Sequence, residues 1–257
     1  MAILNEKVSV IIPAKDEAHY IGELIARVEA SLSDRNFEVI VVDDGSKDNT
    51  KEIARSSGAI TILQGKTLGK GAAMKTGAGA AAGDILVFLD GDGAHNPEDI
   101  SNVIAPVLQN RADLVIGSRD FRGSRTLGSY LPRRITNKLA SFVTSVIISF
   151  LLPLVTSFKC PMKWITVEDA ECGFKAISKE KWCQLNLVSQ GFEIESEIIY
   201  EAAKNRLTIH NAPIGCNWDS KVSRLSIVRD GLKTLRLLSS KLIHDMSERQ
   251  SVHLKPK

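Results

Sequence analysis

The amino-acid sequence predicts an α/β fold: a mostly parallel, doubly wound sheet followed by amphipathic C-terminal helices. Three observations carry this. Short apolar runs alternate with segments of helical period through residue 119, the pattern of a repeated strand–helix unit. Most runs stop at acidic or glycine-containing turns, and parallel strands bring such turns to one edge, where open α/β sheets bind ligands. The chain has 257 residues, 44% of them hydrophobic and 25% charged, enough for one large core or two small ones.

The elements follow in order. Val8-Ser9-Val10-Ile11-Ile12-Pro13 reads as a buried strand, ended by Pro13-Ala14-Lys15-Asp16-Glu17. Ile21, Leu24, Ile25, Val28 and Leu32 then recur at helical spacing and give a helix one packed face. Residues 37–42 form a second strand, ended by Asp43-Asp44-Gly45-Ser46; Asp48-Asn49-Thr50 starts a helix reaching about residue 57. Residues 60–63 form a third strand, and Gly69-Lys70-Gly71 opens a small-residue helix over 72–82. Ile85-Leu86-Val87-Phe88-Leu89 is apolar throughout, as in a strand buried on both faces, and stops at Asp90-Gly91-Asp92-Gly93. Asn96-Pro97 supplies an N-cap and a proline for the next helix. A strand over 113–116 closes with Gly117-Ser118-Arg119.

Asp90 and Asp92 form a pair of carboxylates at a strand end. Such a pair suits a hard divalent cation, which takes oxygen ligands and keeps waters and phosphate oxygens; the plainer reading is a solvated acidic turn. Asp43 and Asp44 can accept from ribose hydroxyls or a base edge, or cap the helix that follows. Gly69-Lys70-Gly71 offers backbone N–H groups and an ammonium to a phosphate. It is not a Walker loop, and no G-x-G-x-x-G follows the first strand, which argues against a dinucleotide fold. Residues 119–138 hold six basic side chains (Arg119, Arg122, Arg125, Arg133, Arg134, Lys138) against one acid, Asp120. They can hold a second phosphate or form a solvated basic loop. A formal charge of +3 is too small to argue for nucleic acid. Cys160, Cys172, Cys183 and Cys216 form no C-x-x-C pair, so reduced, mostly structural thiols in a cytosolic protein are expected.

No charged-then-apolar leader precedes Val8, so no signal peptide is expected. Residues 139–158 carry no charge over twenty positions, a length that just spans a bilayer. Pro153 and several Ser and Thr residues favour a core or interfacial helix pair instead. In the tail, Leu225, Val228, Leu232, Leu235, Leu238 and Leu242 form an apolar stripe. Arg224, Arg229, Lys233, Arg236 and Lys241 interleave it, as in a helix lying on an anionic membrane surface; packing on the domain is the alternative.

Pro13-x-x-Asp16-Glu17, Asp43-Asp44-Gly45-Ser46-x-Asp48-x-Thr50, Gly69-Lys70-Gly71, Asp90-x-Asp92, Gly117-Ser118-Arg119 and Asp169-x-x-x-Gly173-Phe174 stand in one order. In that order the chain resembles the inverting family 2 glycosyltransferases of GT-A (nucleotide-diphospho-sugar transferase) fold. Glu171-Cys172-Gly173-Phe174-Lys175, Gly191-Phe192-Glu193-Ile194-Glu195, Ala212-Pro213-Ile214 and Ser220-Lys221-Val222 look like the dolichyl-phosphate and polyprenyl-phosphate hexose synthases among them. The resemblance covers residues 7–240. It implies a nucleotide-sugar site at Pro13, Ala14, Asp16, Glu17, Asp43, Asp44, Ser46, Lys70 and Gly91, with Mg²⁺ or Mn²⁺ on Asp90 and Asp92. It further implies an acceptor-phosphate site at Arg119, Arg133, Arg134, Asn137, Ser220 and Lys221, and catalytic roles for Asp92, Asp169 and Arg119.

Departures bear on the donor. Ala94 stands where mannose-type members tend to carry Gln, and Gly93-Ala94, Cys172-Gly173-Phe174-Lys175 and Asn217-Trp218 lean toward the UDP-glucose type. His95-Asn96-Pro97-Glu98 leans the other way, and Ala170 and Glu171 differ from the usual Thr and Gln. The expectation is therefore a metal-dependent hexosyltransferase moving glucose or N-acetylglucosamine from a UDP-sugar to dolichyl or polyprenyl phosphate, for glycan assembly such as protein N-glycosylation. A GDP-mannose donor, a soluble acceptor, or a non-enzymatic nucleotide-sugar-binding subunit are the rivals. Residues 1–119 are expected to bind the nucleotide sugar, 120–222 the acceptor, and 223–257 to form the amphipathic helix and tail. The place expected is the cytoplasmic membrane face, peripherally bound, without nucleic acid; a homo-oligomer is left open.

Overall fold

A computed structural model describes residues 6–119, 126–127, 131–155, 165–217 and 227–253. The predicted apolar runs form β1 (Val8–Ala14), β2 (Phe37–Asp43), β3 (Ile60–Leu63) and β4 (Ile85–Phe88), linked by α1 (Ile21–Ser31), α2 (Thr50–Ser56) and α3 (Lys70–Ala80). A single 3-10 turn, Pro97–Asp99, leads into α4 (Ile100–Leu108), and β5 (Leu114–Ser118) follows. The second half supplies β6 (Thr126–Leu127), α5 (Leu131–Val146), α6 (Leu152–Val155), β7 (Lys175–Ser178), α7 (Lys179–Trp182), α8 (Ile194–Lys204), β8 (Ile209–Pro213), β9 (Cys216–Asn217) and α9 (Ile227–His253).

Seven strands make one sheet in the order β3-β2-β1-β4-β7-β5-β8, and β6 pairs with β9 in a second, two-stranded sheet. All pairings in the large sheet are parallel except those of β7, which runs antiparallel to both neighbours. β1 to β5 were legible as apolar runs; β7 and β8 were not. The run at β7 is four residues long and begins with a lysine, so nothing in its composition announces a buried strand. Its orientation matters for function. An antiparallel strand brings its first residue to the edge where its neighbours end, and Lys175 lies opposite Phe88 and Ile116. The residues leading into β7 are thereby delivered to the edge where β4 and β5 end.

Over residues 139–155 the uncharged segment forms one helical run rather than a helix pair. Between α5 and α6, Ile147–Leu151 widens into a π-helical turn immediately before Pro153. Proline has no N–H and crowds the preceding turn, and the wider turn accommodates both defects. No helix among the described residues is long and apolar enough to cross a membrane. The run buries Ile147, Ile148 and Leu152 but mixes its faces. Ser141, Thr144, Ser145 and Ser149 are buried, whereas Leu139 and Phe142 are 60% and 59% exposed, with Phe150 and Leu151 also outward.

α9 packs against α6 and α8. Leu238 is buried as the stripe predicted, but Leu232 and Leu235 are exposed, together with Ile243 and Met246. Lys241 leaves the expected basic face: its Nζ lies 2.7 Å from Glu201 and 3.0 Å from Glu197 on α8 and donates to the Asn186 carbonyl. One turn further on, buried Asp245 accepts from the Tyr200 hydroxyl at 2.7 Å and from Lys204 Nζ at 2.6 Å. Docking on the domain thus takes part of the helix, and an apolar strip remains outside.

Candidate active site

The register of the sheet assembles the site. β1 and β2 end level, with Ala14 opposite Asp43. β4 stops lower, opposite Ile11, and the chain runs on beside β1: Leu89 N donates to the Ile11 carbonyl. The turns after all three strands therefore meet on one edge, as predicted.

In the first two turns the acidic side chains accept from backbone amides of their own and neighbouring turns. Asp16, at φ +50°, accepts from Lys47 N at 2.7 Å, and its own N–H donates to Ser46 Oγ. Asp43 accepts from the amide and the hydroxyl of Ser46. Asp44 accepts from the amides of Leu68 and Gly69 at 2.6 and 3.0 Å, so it holds the turn that carries Lys70. The Glu17 amide donates to Thr50 Oγ1, and Gly91 packs against Pro13 and Ala14. Gly69 cannot be replaced there: its φ is +105°, and any Cβ would strike the Gln190 carbonyl.

Lys70 opens α3 and reaches across the edge. Its Nζ lies 2.5 Å from Asp90 Oδ1 and 2.7 Å from Glu195 Oε1. His95 Nε2 stands 3.6 Å from the other Asp90 oxygen. Burial pushes the Asp90 carboxyl upward, but the Lys70 charge and the His95 hydrogen bond hold it well below the usual carboxylate range. Burial likewise works against charged His95, and bonding to Asp90 and Cys216 prevails, raising it to about 9. Lys70 is raised in spite of its burial by Asp90 and Glu195. Asp92 is half-buried and accepts from Ala94 N at 3.0 Å.

A second cluster lies at the ends of β5 and the segment before β7. Arg119 grips Asp169 with two parallel bonds, Nε to Oδ2 at 2.6 Å and Nη2 to Oδ1 at 2.7 Å. Asn137 Nδ2 adds a third at 2.8 Å. Burial raises Asp169, and the guanidinium beside it more than compensates, so its carboxyl is held low. The inward serines of the helical run set the position of this segment. Ser141, Ser145 and Ser149, one turn apart, accept from the amides of Ala170, Val167 and Ile165 at 2.9, 3.0 and 2.9 Å. Arg133 and Arg134 fall in α5 with side chains outside the described set, and Ser220 and Lys221 lie outside the described residues.

Sequence reasoning gave no role to Glu195, Lys175 or His95, all buried here. Lys175 is fully buried, paired with Glu195 and bonded to the Cys172 carbonyl. A lysine at the head of an apolar strand was the available signal, since a buried ammonium demands a partner. Cys172 and Cys216 are free, buried thiols and Cys183 an exposed one; Cys160 lies outside the described residues.

The donor set fits a divalent cation. Among the described residues no group of three or more His, Cys, Asp or Glu is arranged to hold a metal. Asp90 and Asp92 offer hard oxygens only, leaving positions for water and for the oxygens of a diphosphate, as Mg²⁺ sites on phosphate substrates require.

The fold is that of the GT-A glycosyltransferases, and the chain belongs to glycosyl transferase family 2, whose model matches residues 9–173. It is 30% identical over 233 residues to the UDP-N-acetylglucosamine–dolichyl-phosphate N-acetylglucosaminyltransferase of Methanococcus voltae, covering 82% of this chain and 85% of that one. It is 31% identical over 205 residues to the dolichol-phosphate mannosyltransferase of Pyrococcus furiosus, covering 78% of this chain and 54% of the relative. Among solved structures, the glucosyl-3-phosphoglycerate synthase of Mycobacterium tuberculosis with Mn²⁺, UDP and glucosyl-3-phosphoglycerate superposes with a TM-score of 0.63. That match has 23% identity and covers 95% of this chain and 80% of the other, which shows the shared fold.

Proposed function

We propose that the protein is an inverting hexosyltransferase that moves glucose or N-acetylglucosamine from a UDP-sugar to dolichyl or a related polyprenyl phosphate. The product is a lipid-phosphate-linked sugar, made at the cytoplasmic membrane face by a peripherally bound enzyme. One observation carries the reading. An acidic pair with a lysine, suited to a metal-bound diphosphate, shares an edge with an arginine–aspartate pair braced by a helical run that exposes Leu139, Phe142, Phe150 and Leu151.

Asp90 and Asp92 would hold Mg²⁺ or Mn²⁺, and a bound cation there neutralises charge on the leaving diphosphate. Lys70 adds a second positive charge to the same group. Asp16, Asp43, Asp44 and Ser46, with Pro13, Ala14, Glu17 and Gly91, form the floor for the nucleotide. Arg119, with Arg133, Arg134, Asn137, Ser220 and Lys221, would receive the lipid phosphate. A phosphate monoester has a second pKa of about 6 and is largely ionised at neutral pH, so its oxygen attacks the anomeric carbon without a strong base. Asp169 is accordingly given orientation of Arg119 rather than deprotonation, and both of its oxygens are already engaged. In-line attack inverts an α-linked donor into a β-linked product. Residues 1–119 would then serve the donor, and residues 120–222 with the helix and tail of 223–257 the acceptor and membrane.

A GDP-mannose donor is the second reading, favoured by the Pyrococcus furiosus relative's name and by His95-Asn96-Pro97-Glu98. Incubation of the purified protein and Mg²⁺ with polyprenyl phosphate and a panel of UDP- and GDP-sugars decides between them, with the organic phase read by mass spectrometry. A lipid-linked hexose from a UDP-sugar is expected; a product from GDP-mannose alone selects the second reading, and no lipid-linked product from any donor rejects both.

A further inference from the structure

We propose that Lys70 is the resident counter-cation of Asp90, that it must leave this carboxylate before a divalent cation can bind, and that Glu195 is the positioning residue that keeps Lys70 paired during the exchange. The inference rests on the metal reading above and assigns these residues a role in the order of binding.

The geometry decides which partner moves. Asp90 is pinned: the Gly173 backbone packs so closely that any Cβ there would overlap both carboxylate oxygens, and His95 stands at Oδ2. The other oxygen, Oδ1, carries the Lys70 ammonium at 2.5 Å. A cation approaching that oxygen meets a like charge in a buried setting, where such repulsion is weakly screened. Lys70, by contrast, is an unbranched four-carbon stem, with its ammonium 5.8 Å from the centre of the Phe192 ring. It can withdraw, and a diphosphate arriving with the metal offers it a new anion.

Glu195 makes withdrawal tolerable. An ammonium stripped of every partner in a buried site is strongly disfavoured, and Glu195 Oε1, 2.7 Å from Lys70, is a second carboxylate that can hold it once Asp90 is released. Glu195 is itself held by buried Lys175 through its other oxygen. The four groups form a line of alternating charge: Lys175, Glu195, Lys70, Asp90. Adding a cation at Asp90 and an anion at Lys70 extends that alternation and leaves no charge unpaired. The free protein should therefore bind divalent cations weakly, and cation and nucleoside diphosphate should each strengthen the other by the same factor.

Titration of the full-length protein with Mn²⁺, followed by electron paramagnetic resonance of the free ion with and without UDP, tests this. For the wild type, UDP should tighten Mn²⁺ by roughly 5- to 150-fold, the usual range of coupling between sites. The variant Lys70→Met with Glu195→Gln removes one charge of each sign and keeps the net charge of the cluster, with Lys175 left bonded to the Cys172 carbonyl and the new amide oxygen placed where Glu195 Oε2 stood. It should bind Mn²⁺ without UDP at least about fivefold more tightly than wild type, and gain less from UDP. Glu195→Gln alone leaves Lys70 resting on Asp90 and should weaken Mn²⁺ binding without UDP. A double variant no tighter than wild type, with wild-type coupling to UDP intact, overturns the proposal and leaves the metal reading standing. If the double variant does not fold, Glu195→Gln alone decides, and an affinity at or above wild type overturns it. No Mn²⁺ binding by any protein, even with UDP, contradicts the metal reading and this proposal with it.

Discussion

Asp92 and Asp169 differ in what surrounds them, and removal should cost different things. Asp92 is half-buried with one backbone hydrogen bond, so Asp92→Asn should leave the melting temperature within a degree or two while turnover falls by at least about a hundredfold, as when a charge-stabilising group is lost. A thermal melt beside an activity assay checks both halves. Asp169 is fully buried and carries the Arg119 fork. Asp169→Ala strands a buried guanidinium, and such a loss costs about 3–5 kcal/mol, readable as a lowered urea midpoint. The acidic strand ends were legible because a carboxylate that halts a wholly apolar run marks the point where the chain leaves the buried sheet. The Glu195–Lys175 pair was not, since residues 20 apart meet only through the antiparallel turn of β7.

At the scale of elements, the inward serines explain why an uncharged helical run need not span a bilayer. Ser145→Ala leaves the Val167 amide without its acceptor inside the protein, a loss of about 1–3 kcal/mol, and should loosen the segment bearing Asp169. Hydrogen exchange at residues 165–170 should quicken in this variant and stay slow elsewhere in the sheet. Glu197 ties α8 to the amides of Val188 and Ser189 and to Lys241 of α9. Burial raises its carboxyl, and the hydrogen bonds and Lys241 outweigh this and hold it below 4.5. A depressed folded value stabilises the protein above the unfolded value and loses that contribution as pH falls through the folded one. Glu197→Gln should thus lower the urea midpoint at pH 7, and the gap from wild type should narrow as pH falls below the ordinary glutamate range. Strand and helix positions in the first half were readable from apolar period; the uncharged run was not, because its length and lack of charge mimic a membrane segment while its buried serines, beside Ile147, Ile148 and Leu152, carry part of the packing information.

For the whole molecule, parallel β1, β2 and β4 bring the turns bearing Asp16, Asp44 and Asp90 to one edge, and antiparallel β7 brings the segment bearing Asp169 to the same edge. Under the proposed function, the exposed apolar side chains of the α5 run would face a lipid acceptor. Leu139 and Phe142 are the most exposed apolar residues of the α5 run. Full burial of such a side chain is worth about 1.5–3 kcal/mol, so Leu139→Ser with Phe142→Ser should weaken cosedimentation with anionic vesicles by roughly tenfold or more, with the melting temperature unchanged. The second half was the less legible one, since its arginines are identified by cluster and charge alone, whereas the edge beyond β1, β2 and β4 follows from strand order. A crystal of the protein soaked with UDP and Mn²⁺ probes the central claim most directly. An anomalous manganese peak against Asp90 and Asp92, with the diphosphate beside Lys70, is the predicted result; manganese and UDP bound away from these three side chains would contradict it.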